Sequence, residues 1–223
     1  MNKTAVRNSC FIGRIESDSY NESFIGGIAG IARNSSVSSA CFSGQIDIAD
    51  TAPHAGGIVG HMDGSRIENS YAKGSVASSA NSVTVGGIAG SMEGSSTIAL
   101  SYTVMTMQAT GFKVNIGGIA GAAELSTIKN CTVLGSSLTG DQSGRIAGNV
   151  DTVTFIDNYA ISSMVIVGST GGFIKGTDTK QGADVSTANE SFFKDILMWD
   201  FTRIWKMPYG QTYPTLEWQT AAP

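Results

Sequence analysis

A pentapeptide that recurs on a fixed beat constrains this chain more than any other feature. Gly26-Gly27-Ile28-Ala29-Gly30 returns as Gly56-Gly57-Ile58-Val59-Gly60, Gly86-Gly87-Ile88-Ala89-Gly90 and Gly117-Gly118-Ile119-Ala120-Gly121. Two weaker copies follow, Ser143-Gly144-Arg145-Ile146-Ala147-Gly148 and Gly171-Gly172-Phe173-Ile174-Lys175-Gly176. The closing glycines are 30, 30, 31, 27 and 28 residues apart. A second anchor keeps the same beat: a Cys or Tyr at 10, 41, 71, 102, 131 and 159. An apolar residue precedes it by four places (Val6, Val37, Ile67, Ile98, Phe155), and another follows by five (Ile15, Ile46, Val76, Met107, Met164). The fifth unit breaks both rules, with Ile128 three places before Cys131 and Ser136 five places after. It reads as a unit that has lost one residue.

These units are not helices. Segments such as Thr84-Val85-Gly86-Gly87-Ile88 set β-branched residues beside glycines, and each interior glycine costs a helix about 1 kcal/mol relative to alanine. Clusters of Asn, Ser, Asp and Gly mark turns between short strands. A repeat of about 30 residues with three short strands is one coil of a solenoid, which buries its apolar side only by stacking on the next coil. Propeller blades are longer and carry four strands. The predicted fold is therefore all-β, a parallel β-solenoid of about six coils over residues 1–176. Glycine is expected at tight corners, where it reaches positive φ and lets backbones approach.

Composition narrows the function. The chain has 14 Lys and Arg against 18 Asp and Glu, a net charge of −4, and only 14% charged residues. No basic footprint for nucleic acid or an anionic membrane surface is present. No apolar run reaches the ~18 residues of a membrane helix. Met1-Asn2-Lys3-Thr4 carries no apolar signal region, so the chain is either cytosolic or given without its export signal. The first residues already match the repeat. More of the same protein, or a partner chain, is expected to cover that edge.

Chemistry-bearing residues are sparse. Cys10 and Cys41 fall in neighbouring coils at a separation a disulfide could span, but tyrosines fill the same slot elsewhere and favour a small apolar filler. There is no Cys-x-x-Cys and no zinc spacing. His54 and His61 flank one pentapeptide at a spacing that matches no metal signature, and read as loop residues. Asp47, Asp50, Asp63, Glu68, Glu93, Glu124, Asp141 and Asp151 appear scattered through different phases of the repeat. The expectation is no catalytic residue, no metal and no cofactor. A polysaccharide-cleaving β-helix would instead gather three or more carboxylate or basic side chains in one groove.

The Gly-Gly-Ile-Ala-Gly core, with Ser65 to Tyr71 (Ser-x-Ile-x-Asn-Ser-Tyr) between two copies of it, resembles the GLUG motif family. The resemblance covers residues 1 to about 176. It implies a bacterial, extracellular or cell-surface, non-catalytic solenoid, because such repeats occur in large surface proteins, including IgA-specific metallopeptidases and Bacteroidetes surface proteins. The His-Glu-x-x-His zinc motif of those peptidases is absent, so that activity is not implied. Residues 177–223 break the beat and hold all three tryptophans. They read as an aromatic-rich cap folded over the last coil. Trp199, Trp205, Tyr209, Tyr213 and Trp218 are the candidate ligand contacts, should some form a platform for a host glycoprotein or polysaccharide.

Overall fold

The structure, a computed structural model, describes residues 1–18, 22–49, 51, 53–168 and 173–219. Asp50 and the glycine pair Gly171-Gly172 lie outside the described residues.

The chain winds as a parallel β-solenoid of about five turns, with three strand-bearing sides. The first side is a five-stranded sheet of Phe24–Gly26, His54–Gly56, Thr84–Gly86, Asn115–Gly117 and Gln142–Gly144. The second is a five-stranded sheet of Ala29–Arg33, Val59–Asp63, Ala89–Glu93, Ala120–Glu124 and Ala147–Asp151. The third is a broad thirteen-stranded sheet that begins with Ala5–Ser17 and Ser36–Ile48. In all three sheets, strands pair with the equivalent strand one coil away.

The pentapeptide builds the corner between the first two sides. Its isoleucines point inward and its backbone continues the ladder through the bend: Ile28 N–H donates to Ile58 O at 3.0 Å, Ile58 to Ile88 at 3.0 Å, Ile88 to Ile119 at 2.9 Å and Ile119 to Ile146 at 2.8 Å. The glycines serve close approach and not positive φ. A Cβ on Gly57 would lie 2.5 Å from the carbonyl oxygen of Gly87 and 2.6 Å from Cβ of Ala72 on the broad sheet. The barrel is too narrow there for any side chain. The left-handed corner belongs to other residues: Asn8, Ser39, Asn69, Leu100, Asn130 and Asp157 all have φ near +50°. They form a column that kinks the broad sheet once per coil. Asn tolerates this conformation readily.

The kink corrects the reading of the fifth unit. Ile128 pairs with Ile98 and Thr132 with Tyr102, so no residue is missing at this point. The outward slot is filled by Cys10, Cys41, Tyr71, Tyr102, Thr132 and Tyr159. Cys131 lies one place earlier, in the inward column that holds Ser70 and Ser101, and is fully buried. Leu138, not Ser136, continues the column of Met107, and Ile166, not Met164, follows it. The inward column is a polar ladder. Ser70 Oγ accepts from Ala40 N–H at 3.1 Å, Ser101 Oγ accepts from Ser70 N–H at 3.1 Å, and Asn158 Oδ1 accepts from Cys131 N–H at 3.1 Å. These side chains satisfy N–H groups that the kink takes out of the sheet ladder.

Two cores result. One fills the solenoid interior with Ile, Val, Ala and Met from every coil. The other lies outside the broad sheet, between the Cys/Tyr slot and the tail, and contains Tyr71, Tyr102, Phe193, Trp199 and Trp205. The tail forms the expected aromatic cluster, but it reaches beyond the last coil: Phe192 packs on Tyr159 there at 5.3 Å, and Trp199 and Trp205 pack on Tyr102 of an earlier one. They pack along the flank, because the slot tyrosines point outward and offer them an apolar seat. The last coil is closed differently. Lys180 O accepts from Ile146 N–H at 3.0 Å. Arg145, buried in the weak fifth pentapeptide, donates to Gln181 O at 2.7 Å and Gly182 O at 2.8 Å and pairs with Asp184. In the described part of the sixth copy, Phe173 and Ile174 are exposed.

Candidate ligand-binding groove

Parallel stacking turns any side chain repeated at one phase into an axial column. On the outer face of the second sheet, His61, Ser91, Ala122 and Asn149 form one column. Two residues further along, Arg33, Asp63, Glu93, Glu124 and Asp151 form the next, with Met92 opposite Ala123 fixing Glu93 beside Glu124. Four acidic residues are thus aligned over four coils, which overturns the expectation that they are scattered. The sequence did hold the signal: each stands three places after the closing glycine of a pentapeptide, at 60, 90, 121 and 148.

A groove of about 290 Å³ runs along this face. At one end the rings of Phe24, His54 and His61 cluster, with centroids 5.4 Å apart for Phe24 and His54, 5.5 Å for Phe24 and His61, and 6.3 Å for the two histidines. His61 Nδ1 lies 2.8 Å from Ser91 Oγ, and its Nε2 lies 3.5 Å from Glu93 Oε1. His54 Nε2 lies 3.5 Å from Glu22 Oε1, while its buried Nδ1 has no partner in the described structure. Burial holds the His54 imidazole below its ordinary pKa, against the opposing pull of Glu22. Glu124, Asn149 and Asp151 line the rest of the groove. His54 and His61, read from sequence as separate loop residues, are therefore strand residues brought together from successive coil faces. Among the described residues, no three His, Cys, Asp or Glu converge closely enough to hold a metal ion.

A wider, shallower depression of about 780 Å³ lies beside Arg14 and Asp47 at the rim of the broad sheet. Three of its charges pair with one another. Arg14 pairs with Asp47 and with Glu16 at 2.7 Å each, Gln45 donates to Asp47 at 2.8 Å, and the Arg14 contact holds the Asp47 carboxyl below the usual range. The groove at His54 and His61 is the place where polar groups converge and stay open.

The tail aromatics have divergent fates. Trp199 and Trp205 are 2% and 1% exposed, with rings stacked at 4.6 Å, so their area is spent on the flank core. Tyr213 stacks on Tyr102 at 6.4 Å and, with Tyr71 and Tyr102, surrounds the Lys73 ammonium. Trp218 is half-buried, and Tyr209 is fully exposed. The five do not form a shared platform.

Cys10 and Cys41 are joined by a disulfide, with Cα atoms 4.5 Å apart, where a free apolar filler was expected. Direct stacking of their slots in adjacent coils supplies the distance. Gln219 from the tail places its amide 3.1 Å from Cys41 Sγ, so the bridge also seats the end of the described chain.

No helix of the described residues is long and apolar enough to cross a membrane. Comparison with the curated proteins finds no match. The fold is similar to that in the crystal structure, at 1.30 Å resolution, of a "putative immunoglobulin A1 protease" from Bacteroides ovatus. The TM-score is 0.56 over 96% of this chain and 75% of that one, at 21% identity, a likeness of fold. Residues 51–77, which span the second pentapeptide and Tyr71, match the GLUG motif, the repeat that the sequence resembles.

Proposed function

We propose that the chain is a non-catalytic module of a bacterial surface or secreted protein, a stiff rod that spaces, displays or adheres. The observation that carries this reading is the Cys10–Cys41 disulfide between two stacked coils. Such bridges persist in oxidising compartments and are rare in the reducing cytosol. The likeness to a Bacteroides fold and the GLUG match support a bacterial surface context. Coils stacked at about 4.8 Å give a rod roughly 25–30 Å long over five to six turns, with side chains repeated along each face. Such a surface suits several weak contacts in parallel.

The groove favours a second reading, binding of a polysaccharide. Glu22, Glu93, Glu124 and Asp151 meet there with two histidines and a phenyl ring, which is the convergence that a carbohydrate-active β-helix requires. Binding suits it better than cleavage. A glycosidase's general acid is held in a desolvated pocket, whereas the Glu22 and Glu93 side chains are 60% and 50% exposed. An array of polysaccharides and host glycoproteins tests both readings. Binding lost in Phe24→Ala supports the groove, binding kept in that variant supports adhesion elsewhere on the rod, and no binding leaves a spacer. Hydrolysis of any bound polysaccharide would overturn the non-catalytic assignment.

A further inference from the structure

We infer that the groove end at Phe24 is a pH-sensitive lid: Phe24 closes over His54 and His61 at neutral pH and lifts when the His54 imidazole gains a proton. This goes beyond the binding reading and stands whether or not a glycan occupies the groove.

The geometry sets closure against protonation of His54. The Phe24 ring packs on both imidazoles, at 5.4 and 5.5 Å. The His54 Nδ1 atom beneath this cluster is buried and has no hydrogen-bond partner in the described structure. A protonated His54 would carry an N–H donor at that buried atom with nothing to accept it, and buried unpaired donors are costly. His61, with its ring centroid 6.3 Å away, adds a further contribution against charge on His54. Lifting Phe24 admits water to the Nδ1 atom.

Among the described residues, Phe24–Gly26 is the edge strand of its sheet and pairs with His54–Gly56 alone. Edge elements open locally at less cost than interior ones. The charged groups facing the histidines act in the other direction. Glu22, ahead of the lid strand, stands 3.5 Å from His54 Nε2, Glu93, on the second sheet, stands 3.5 Å from His61 Nε2, and both carboxylates favour protonation of His54. Asp63, Glu124 and Asp151 lie further along the same face, and Arg33 stands beside Asp63 at its end. Burial outweighs the Glu22 and Glu93 attraction at His54, and the imidazole is held below its ordinary value. Acid therefore opens the lid instead of clamping it.

Amide hydrogen exchange at pH 7.5 and pH 5, corrected for the intrinsic rate at each pH, tests this. The amides of residues 24–26 should lose about tenfold protection at pH 5, while the interior strand Asn115–Gly117 keeps its own. In a His54→Gln, His61→Gln double variant the loss should disappear. Unchanged or increased protection at pH 5 overturns the proposal, as does an equal loss in the double variant. Should that variant fail to fold, NMR titration of the unmodified protein decides. Phe24 ring resonances that move with the histidine titration support the lid, and resonances that stay fixed overturn it.

Discussion

The indole nitrogen of Trp218 donates to the carbonyl oxygen of Ser39 at 3.0 Å, joining residues 179 apart in sequence. Ser39 belongs to the column of left-handed residues that kinks each coil. The other two tryptophans reach the same column. Trp205 Nε1 donates to Asn69 Oδ1 at 3.4 Å and Trp199 Nε1 to Asn130 O at 3.1 Å. In the coil between them the kink residue is Leu100, which packs against the flank core, and Tyr102 there donates to Pro214 O at 2.6 Å. The tail thus runs back along the rod, from the last coils to the second, fastened coil by coil.

Removing a buried fastener should destabilise the whole rod. Trp199→Ala and Trp205→Ala each leave a large cavity in the flank core and should cost about 3–5 kcal/mol. Trp218→Ala, half-buried, should cost about 1–2 kcal/mol. Urea unfolding measures the three. Equal and small losses at all three positions would show that the flank core carries no stability.

The disulfide should contribute about 3–4 kcal/mol through the constraint it places on the unfolded chain. Cys10→Ser with Cys41→Ser should lower the melting temperature, and dithiothreitol should lower that of the unmodified protein equally. Cys131 should stay silent throughout. Burial pushes its thiol up to about 12, so iodoacetamide at pH 8 should label the native protein at Cys131 only after denaturation.

The second glycine of the first four pentapeptides should tolerate no side chain. Gly87→Ala would set a Cβ 2.2 Å from the Gly118 carbonyl oxygen and 2.6 Å from Thr103 Cγ2. Thr103 is fixed in the broad sheet and Gly118 in the hydrogen-bonded corner, so the coil must open. Loss of soluble, folded protein is expected for Gly87→Ala, while Ala122→Ser on the outer face should fold normally. Circular dichroism and gel filtration distinguish the two.

Acid should loosen the tail only in a narrow range. The Asp200 carboxylate accepts from Thr202 Oγ1 at 2.6 Å, Thr202 N at 2.9 Å and Arg203 N at 3.0 Å, and Arg203 Nε approaches at 2.9 Å. These contacts lower its pKa from 3.8 to about 2. A depressed carboxylate stabilises the fold fully above its unfolded pKa, and that stability is lost as pH falls through the folded value. Tryptophan fluorescence should therefore hold its native position from pH 7 down to about 4 and lose tail stability between about 4 and 2. In Asp200→Asn this component of the acid response should vanish.

The sequence by itself determined the coil. Gly-Gly-Ile-Ala-Gly on a beat of 27 to 31 residues admits few structures other than stacked parallel strands, because each unit lacks a core of its own. The acidic column was equally legible, three places after each closing glycine, since equal phase in a solenoid means adjacency in space. Other features had no local signal. Cys131 seemed to share the slot of Tyr102, and only strand pairing shows Thr132 there, because near-equal spacings do not fix register to one residue. His54 and His61 meet because a glycine corner folds two strands of one coil toward each other and Phe24 arrives from the coil before. The tail's place on the flank depended on which way Tyr71 and Tyr102 point. That direction follows from a left-handed residue two places earlier, and Ser39, Asn69 and Leu100 share no sequence signature that announces it. Periodicity fixes what repeats. The faces of the repeat that are covered, and by what, follow from contacts between residues more than a hundred positions apart, which tertiary packing alone decides.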